Sequence, residues 1–378
     1  MKSFSLPALS CVPLLVLCLA CQTEADRTTR APPAALDTLR ILDINVWSGL
    51  DYQGNVWMGE YETKTVREKR YQALVHQIKA MSPDIIGVQE ANKLPGYADR
   101  LAGDLGYDVF FHVGIGGVRL GPVGLPWNLR EGDAILTRKD LRAEFAGRQQ
   151  LSGGHVGNFF TFHFSDATQV IAVKVINKGT PLYVFVTHWH ASMLATAQIK
   201  QKAEDLTSRG LATPENRRQV LEQIKAGQAW RLSEAEKTLA FIQKTAGPHP
   251  SILMGDFNAT DEAREIKNLV EFGLLDTFQK VHPQAPGFTW DPDRNRNYQT
   301  HYLSRHEAQE SQTLDLYTVL KRMHEATPKR IDYVFVRQSP GISVSDSRVV
   351  LDEVIDGVHA SDHFGVYAEI LYSVREPD

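Results

Sequence analysis

Cysteine is nearly missing from this chain of 378 residues, and the three that occur, Cys11, Cys18 and Cys21, all lie at its start. Beyond residue 21 there is accordingly no disulfide, no cysteine-ligated metal and no cysteine nucleophile. Any chemistry there has to come from Asp, Glu, His and Asn. An excess of positive charge is missing too. Lys and Arg number 41 against 45 Asp and Glu, for a formal net charge of -4. A tight non-specific binder of nucleic acid is normally far more basic. With 43% hydrophobic and 23% charged residues the composition is that of an ordinary globular protein. The length suits one large layered domain or two modest ones.

The first 21 residues read as an export signal. Lys2 supplies a short positive start, and the apolar run Leu6 to Ala20 is too short for a membrane span. It ends in Leu19-Ala20-Cys21, followed by a polar stretch rich in Thr, Arg and Pro. This resembles a bacterial lipoprotein signal, in which Cys21 becomes the lipidated N-terminus; an ordinary secretory leader is the alternative. Either implies export, to a membrane-anchored position in the periplasm or at the cell surface, or into the medium. The expected organisation is a signal over 1–21, a polar linker over 22–37, one folded domain over 38–372 and a tail over 373–378.

Within the domain, short apolar runs repeatedly end in polar residues. Ser251-Ile252-Leu253-Met254-Gly255-Asp256-Phe257-Asn258, bounded upstream by Pro248 and Pro250, reads as a buried strand. Asp256 and Asn258 stand two apart at its end and point the same way; turn formation alone would also explain them. A first strand over 38–47 ends near Asn45. A helix over Val66–Met81 presents Tyr71, Leu74, Val75 and Ile78 on one face. The strand 84–90 ends in Glu90, either a solvated edge or a metal ligand. A helix over Tyr97–Leu105 and a strand over Tyr107–Val113 precede Gly114–Arg130, whose Gly, Pro, Leu125 and Trp127 suggest a functional loop or lid. Strands are expected from Asp133, over 159–164, 169–176 and 182–187, the last ending in Thr187-His188-Trp189-His190. Helical residues from Ala191 to Thr245 break near Gly210 and Pro214. The polar stretch 291–306, with Arg294, Arg296, His301 and Arg305, is either a solvated loop or an anion-facing one. Arg330-Ile331-Asp332-Tyr333 opens a strand, and Ser361-Asp362-His363 precedes the last. Strands outnumber helices, which points to a layered α/β fold.

Taken together, Asn45, Glu90, His188, Asp256, Asn258, Asp332, Asp362 and His363 offer hard oxygen donors and imidazoles without sulfur. That set suits Mg²⁺, with Mn²⁺ or another divalent cation as alternatives, bound by one or two carboxylates and completed by substrate phosphate. It suits zinc less well.

The order of Asn45, Gln89-Glu90, Thr187-His188, Gly255-Asp256-Phe257-Asn258, Arg330-Ile331-Asp332-Tyr333 and Ser361-Asp362-His363 resembles the endonuclease/exonuclease/phosphatase superfamily over about residues 38–372. The resemblance implies a four-layer α/β sandwich, DNase I-like, and metal-dependent cleavage of phosphoester bonds. Within it the chain is most similar to neutral sphingomyelinases, through Thr187-His188-Trp189-His190-Ala191 and Gln228-Ala229-Trp230. Their lysine-containing segment before the Thr-His strand has no counterpart in 164–169. The Trp-Cys-Asp-Arg run of inositol polyphosphate phosphatases is absent.

The resemblance implies Glu90 as principal metal ligand, with Asn45 beside it and Asp362 near the metal. It implies His363 as general base held by Asp332, Asp256 orienting the water, Asn258 donating to a phosphoryl oxygen and His188 protonating the leaving oxygen. Asp133 and His190 are weaker members. The expected substrate is a phosphodiester, a membrane sphingolipid or phospholipid first and nucleic acid second, with a soluble sugar or inositol phosphate as a third. A lipid anchor would supply membrane association, and no protein partner is indicated.

Overall fold

The computed structural model describes residues 36–48, 62–120, 123–152, 168–177, 179–300, 315–339 and 342–373, all within the unit Ala35–Asp378. The signal and most of the linker, the strand expected over 159–164, His301, Arg305 and the tail beyond 373 lie outside the described residues. Among the described residues no helix is long and apolar enough to cross a membrane.

Among the described residues twelve strands make two sheets of six. In the first, β1 (Leu36–Asn45) and β2 (Ile85–Ala91) run parallel. On one side of that pair lie β4 (Val123–Arg138) and β3 (Tyr107–Leu120), on the other β12 (Gly365–Ser373) and β11 (Ile342–Val350). The second sheet is built alike. Its parallel pair is β7 (Thr180–His188) and β8 (Ser251–Asp256). Flanking it are β6 (Gln169–Asn177) and β5 (Glu144–Gln150), and β10 (Asp332–Arg337) and β9 (Leu274–Asp276).

Strand alternation explains how the sheets meet. Leu39 and Ile41 of β1, Ile85 of β2, Val184 and Val186 of β7, Ile252 and Met254 of β8, and Val334 and Val336 of β10 share one buried core between the sheets. Their neighbours of opposite parity face outward. Leu42, Ile44, Ile86 and Val88 pack under α1 (Lys64–Met81) and α2 (Gly96–Leu105). Phe185, Leu253, Tyr333 and Phe335 pack with residues of two later helices described below. Two sheets back to back with helices on both outer faces make the four-layer sandwich. Burying each of these aliphatic side chains is worth about 1.5–3 kcal/mol. At Gly87 the sheets come so close that a Cβ would lie 2.6 Å from Asp43 Oδ1 and 2.9 Å from Met254 Sδ.

The helical stretch after β7 divides as its Gly210 and Pro214 suggest, into α3 (Ala197–Ser208) and α4 (Pro214–Ala246). Thr213 caps α4 by accepting from Asn216 N at 3.1 Å, and Pro214 fits the first turn, where its missing N–H costs nothing. Then follow α5 (Arg264–Glu271), α6 (Thr277–Val281), the single turn α7 (Arg296–Tyr298) and α8 (Leu316–Glu325). Both α4 and α5 supply outer-layer residues of the second sheet, such as Ala235, Ile242 and Ile266. A smaller apolar cluster, including Ile199, Ile224 and Leu320, joins α3, the first half of α4 and α8.

One expectation changes. The segment 114–130 is not a free loop: most of it belongs to β3 and β4, paired antiparallel to Leu120–Val123. Its many glycines are accommodated by two register shifts along that hairpin.

Candidate active site

Pairing register carries the site. Across the second sheet, His188 of β7 lies opposite Asp256 of β8, and Asp256 lies opposite Asp332 of β10. All three continue the inward parity of Val186, Met254 and Val334, so they emerge at one end of the inter-sheet core. Asn45 does the same at the end of β1. Gly255 has φ +150°, and a Cβ there would run into the Thr187 carbonyl, so this rung requires glycine.

Glu90 breaks the alternation. Pairing of β2 with β4 slips between Val88 and Ala91, and Glu90 takes φ +57°. The irregularity turns its carboxylate toward Asn45. Trp47 and Asn258 also have positive φ, 51° and 48°. Each such backbone costs about 1–3 kcal/mol, and their gathering at one cleft marks a site whose geometry is paid for by the surrounding fold.

The contacts form one network. Asn45 Nδ2 donates to Glu90 Oε1 at 3.0 Å and Asp256 Oδ2 at 3.1 Å. Ser48 N donates to Glu90 Oε2 at 3.0 Å. Asn258 N donates to Asp256 Oδ1 at 2.9 Å, and Asn258 Nδ2 donates to Trp189 O at 3.0 Å. His188 Nε2 lies 3.2 Å from Asn258 Nδ2 and 3.5 Å from Asp256 Oδ2. His363 Nδ1 sits 2.9 and 3.1 Å from the two Asp332 oxygens, so it carries the proton and donates to them. Its Nε2 faces Asp256 Oδ2 at 3.9 Å. Glu90, His188, Asp256, Asn258 and His363 of this network line a cleft with a volume of about 400 Å³.

Electrostatics follow from crowding. Burial works against the charged form of His188, yet Asp256, Glu90, Asp133 and Glu131 outweigh it and push its pKa up to about 9. Burial is likewise outweighed at His363, which Asp332, Asp256 and Asp362 hold well above the usual imidazole range. Burial, then Asp332, raises Asp256. Burial lifts Asp362 to about 6, against the pull of His363 and with Glu90 adding to the rise. The site is short of positive charge, and that is the test for a metal. Glu90, Asp256 and Asp362 crowd oxygen donors into one cleft, where burial and neighbouring carboxylates raise both Asp256 and Asp362. The chain fits an oxygen-preferring dication there.

Asn45 Oδ1 accepts from Trp47 N at 3.0 Å, which orients its amide so that Nδ2 faces the carboxylates of Glu90 and Asp256. Asp256, Asp332 and His363 place one ligand atom each within 4.8 Å of one another, but Asp332 is engaged by His363.

A model of the Endonuclease/Exonuclease/phosphatase family matches residues 45–363, from the first site residue to the last. The chain belongs to this family. It is an enzyme, a metal-dependent phosphoric ester hydrolase. Solved structures agree in fold. A Bacteroides thetaiotaomicron family protein superposes with TM-score 0.55 at 17% identity, covering 89% of this chain and 99% of that one. The human Nocturnin catalytic domain with bound sulfate gives 0.52 at 16%, covering 90% and 97%. D. rerio TDP2 complexed with single-strand DNA product gives 0.52 at 16%, covering 88% and 99%. At such identity these neighbours show the fold. No curated protein matches the chain.

The cleft gathers Glu90, His188, Asp256, Asn258, Asp362 and His363, with Asp133 also on its wall. Burial raises Asp133 to about 7. His190 is elsewhere: its ring stacks on Trp230 of α4 at 4.3 Å, and its backbone N donates to Glu234 at 2.8 Å. Arg294 is tied to Asp352 at 2.6 Å, and Asn295 and Asn297 donate to Ser361 O, so this part of the polar stretch is scaffold for the Ser361–His363 loop.

Two supporting residues escaped sequence reasoning. Thr289 Oγ1 accepts from both Ile331 N and Asp332 N at 3.1 Å, while its carbonyl accepts from Phe364 N at 2.7 Å. It therefore joins the two halves of the Asp332–His363 pair, and Trp290 beside it lies edge-on to His363 at 5.2 Å. Arg70, buried on α1, donates to the carbonyls of Val46, Trp47 and Ala360 and pairs with Glu62. Only spatial proximity reveals either role; the conspicuous Phe288-Thr289-Trp290 run was the available signal for the first.

Proposed function

We propose that this chain is an exported, Mg²⁺-dependent phosphodiesterase acting on a sphingomyelin-like lipid, releasing phosphocholine and ceramide. The observation that carries the hydrolytic reading is the Asp332–His363 pair, whose free Nε2 opens toward Asp256 in the cleft. With a dication offsetting the carboxylates that raise its pKa, His363 Nε2 takes the proton of a water oriented by Asp256. Asp332 keeps the Nδ1 proton in place and stabilises the imidazolium that results. Asn258 supplies an N–H donor for a phosphoryl oxygen, Asn45 holds Glu90 and Asp256 in place, and His188 delivers a proton to the departing oxygen. A divalent cation on Glu90 and Asp362 supplies neutralisation of the charge that develops on phosphorus-bound oxygens.

Support for the lipid substrate is the Thr187–Ala191 and Gln228–Trp230 resemblance, together with the export signal read at residues 1–21 and the lack of net positive charge. The second reading, a nuclease, is favoured by one observation, the DNA product held in the TDP2 structure. The experiment is hydrolysis of sphingomyelin vesicles and plasmid DNA by the leader-less protein, with Mg²⁺ and with chelator. Mg²⁺-dependent phosphocholine release with intact DNA is expected. DNA cleavage with inert vesicles would sink the lipid reading.

A further inference from the structure

A second cavity, of about 470 Å³, adjoins the catalytic cleft. Both are lined by His324 and Lys329, so the two meet at the C-terminal end of α8. Leu194, Ile199, Phe288, Met323 and Pro328 give the second cavity an apolar wall. Its charged members Asp261 and Glu262 are exposed, and Arg330 is already paired with Asp276. Thr196, Gln198, Thr260 and Thr327 also line it, but the greater part of its surface is apolar, which suits an apolar group carrying a few polar atoms.

The junction is built rigidly. Lys329 is 8% exposed, and its Nζ donates to His324 O at 2.6 Å and Thr327 O at 3.3 Å. Trp290 Nε1 donates to Glu325 O at 2.8 Å, and Trp290 and Lys329 form a backbone bridge. The end of α8 is thus tied to the segment that touches His363. One polar atom at the junction is left over: His324 Nε2 is buried without a hydrogen-bond partner. Such an orphan costs free energy until a ligand satisfies it. Burial, with Lys329, Arg231 and Lys321 adding, holds this imidazole down to about 3, hence neutral and able to bond a hydroxyl or amide.

We infer that the second cavity is the subsite for an extended apolar group esterified to the scissile phosphate, with His324 bonding a hydroxyl or amide near the ester oxygen. This rests on the phosphodiesterase reading above; for sphingomyelin the group is ceramide.

The test is hydrolysis of n-alkylphosphocholines, from methyl to decyl and below micelle formation, in which the alkanol departs, followed by phosphocholine release. For the wild type kcat/KM rises about three- to fourfold per methylene over the first several carbons. Met323→Trp, which fills the cavity, and Ala285→Trp, at its exposed rim, flatten that rise and leave the methyl ester within about twofold. His324→Phe lowers kcat/KM about tenfold only for esters whose chain carries a hydroxyl or amide. A wild type without chain-length preference overturns the inference, as do variants that keep the full rise or lose methyl and decyl esters equally. Should sphingomyelin resist cleavage while the chain-length rise is present and abolished by the variants, the subsite stands and the sphingomyelin reading falls.

Discussion

Arg70→Met tests how the first sheet holds the site. The guanidinium donates to Glu62 at 2.8 Å and to three backbone carbonyls at 3.1–3.2 Å, while the Glu62 side chain is fully buried. Removing one partner of a buried pair typically costs about 3–5 kcal/mol, because the remaining charge is stranded. Arg67 Nε, 3.5 Å from Glu62, offsets part of that, whereas the orphaned carbonyls of Val46, Trp47 and Ala360 add to it. The net expectation is about 4 kcal/mol. For a domain this large that lowers Tm by roughly 8 °C, taking about 2 °C per kcal/mol. The double variant Arg70→Met/Glu62→Leu removes the stranded charge and regains about half of the loss. Both variants also lose activity, since those carbonyls flank Asn45 and the Ser361–His363 loop. Calorimetry of wild type, both singles and the double decides. A Tm change under 2 °C in Arg70→Met, or a double no more stable than Arg70→Met, refutes the reasoning.

Three further outcomes are expected. Thr289→Val strands two buried N–H groups and lowers stability by about 2–4 kcal/mol in denaturant unfolding, with a fall in kcat because Asp332 loses its anchor. His190→Ala leaves kcat within about twofold, since its ring packs on Trp230 outside the cleft; a hundredfold loss would contradict the placement. Asp133 governs a pH effect in the metal-free protein. Its folded pKa, about 7, lies above the ordinary 3.8, so between these values the folded state binds the extra proton. Stability is therefore fully present below about pH 4 and falls toward pH 7, by at most about 1.4 kcal/mol per pH unit. Its surroundings, Gln169, His188, Arg148 and Glu90, are unchanged in Asp133→Asn, which should flatten that slope in chelator-containing buffer.

How much of this was legible in the sequence depends on whether local pattern or spatial assembly decides. Strand alternation was enough to put Asn45, His188, Asp256 and Asp332 at strand ends on one parity, because the inter-sheet core enforces period two. Gly210 and Pro214 marked the division between α3 and α4 for equally local reasons. Glu90 reaches the cleft by a route the sequence does not show: alternation points it outward, and only the irregularity in β2 brings it in. The hairpin made by β3 and β4 was misread as a loop because glycine and proline usually signal breaks, whereas here register shifts absorb them. Asn45 was placed but not oriented, since a contact from Trp47 N decides which end of its amide faces the site. Thr289 and Arg70 bond residues tens or hundreds of positions away, and the cavity beside His324 is assembled from segments as distant, where no spacing rule reaches.

The most direct test of the account is the single-turnover rate of phosphodiester hydrolysis in wild type, Asp332→Asn and His363→Ala, each with Mg²⁺ and with chelator. The account predicts activity only with Mg²⁺, and loss of about 10²–10⁴-fold in both variants at a temperature where each is fully folded. Wild-type hydrolysis that survives chelation, or a His363→Ala protein that retains its rate, would contradict it.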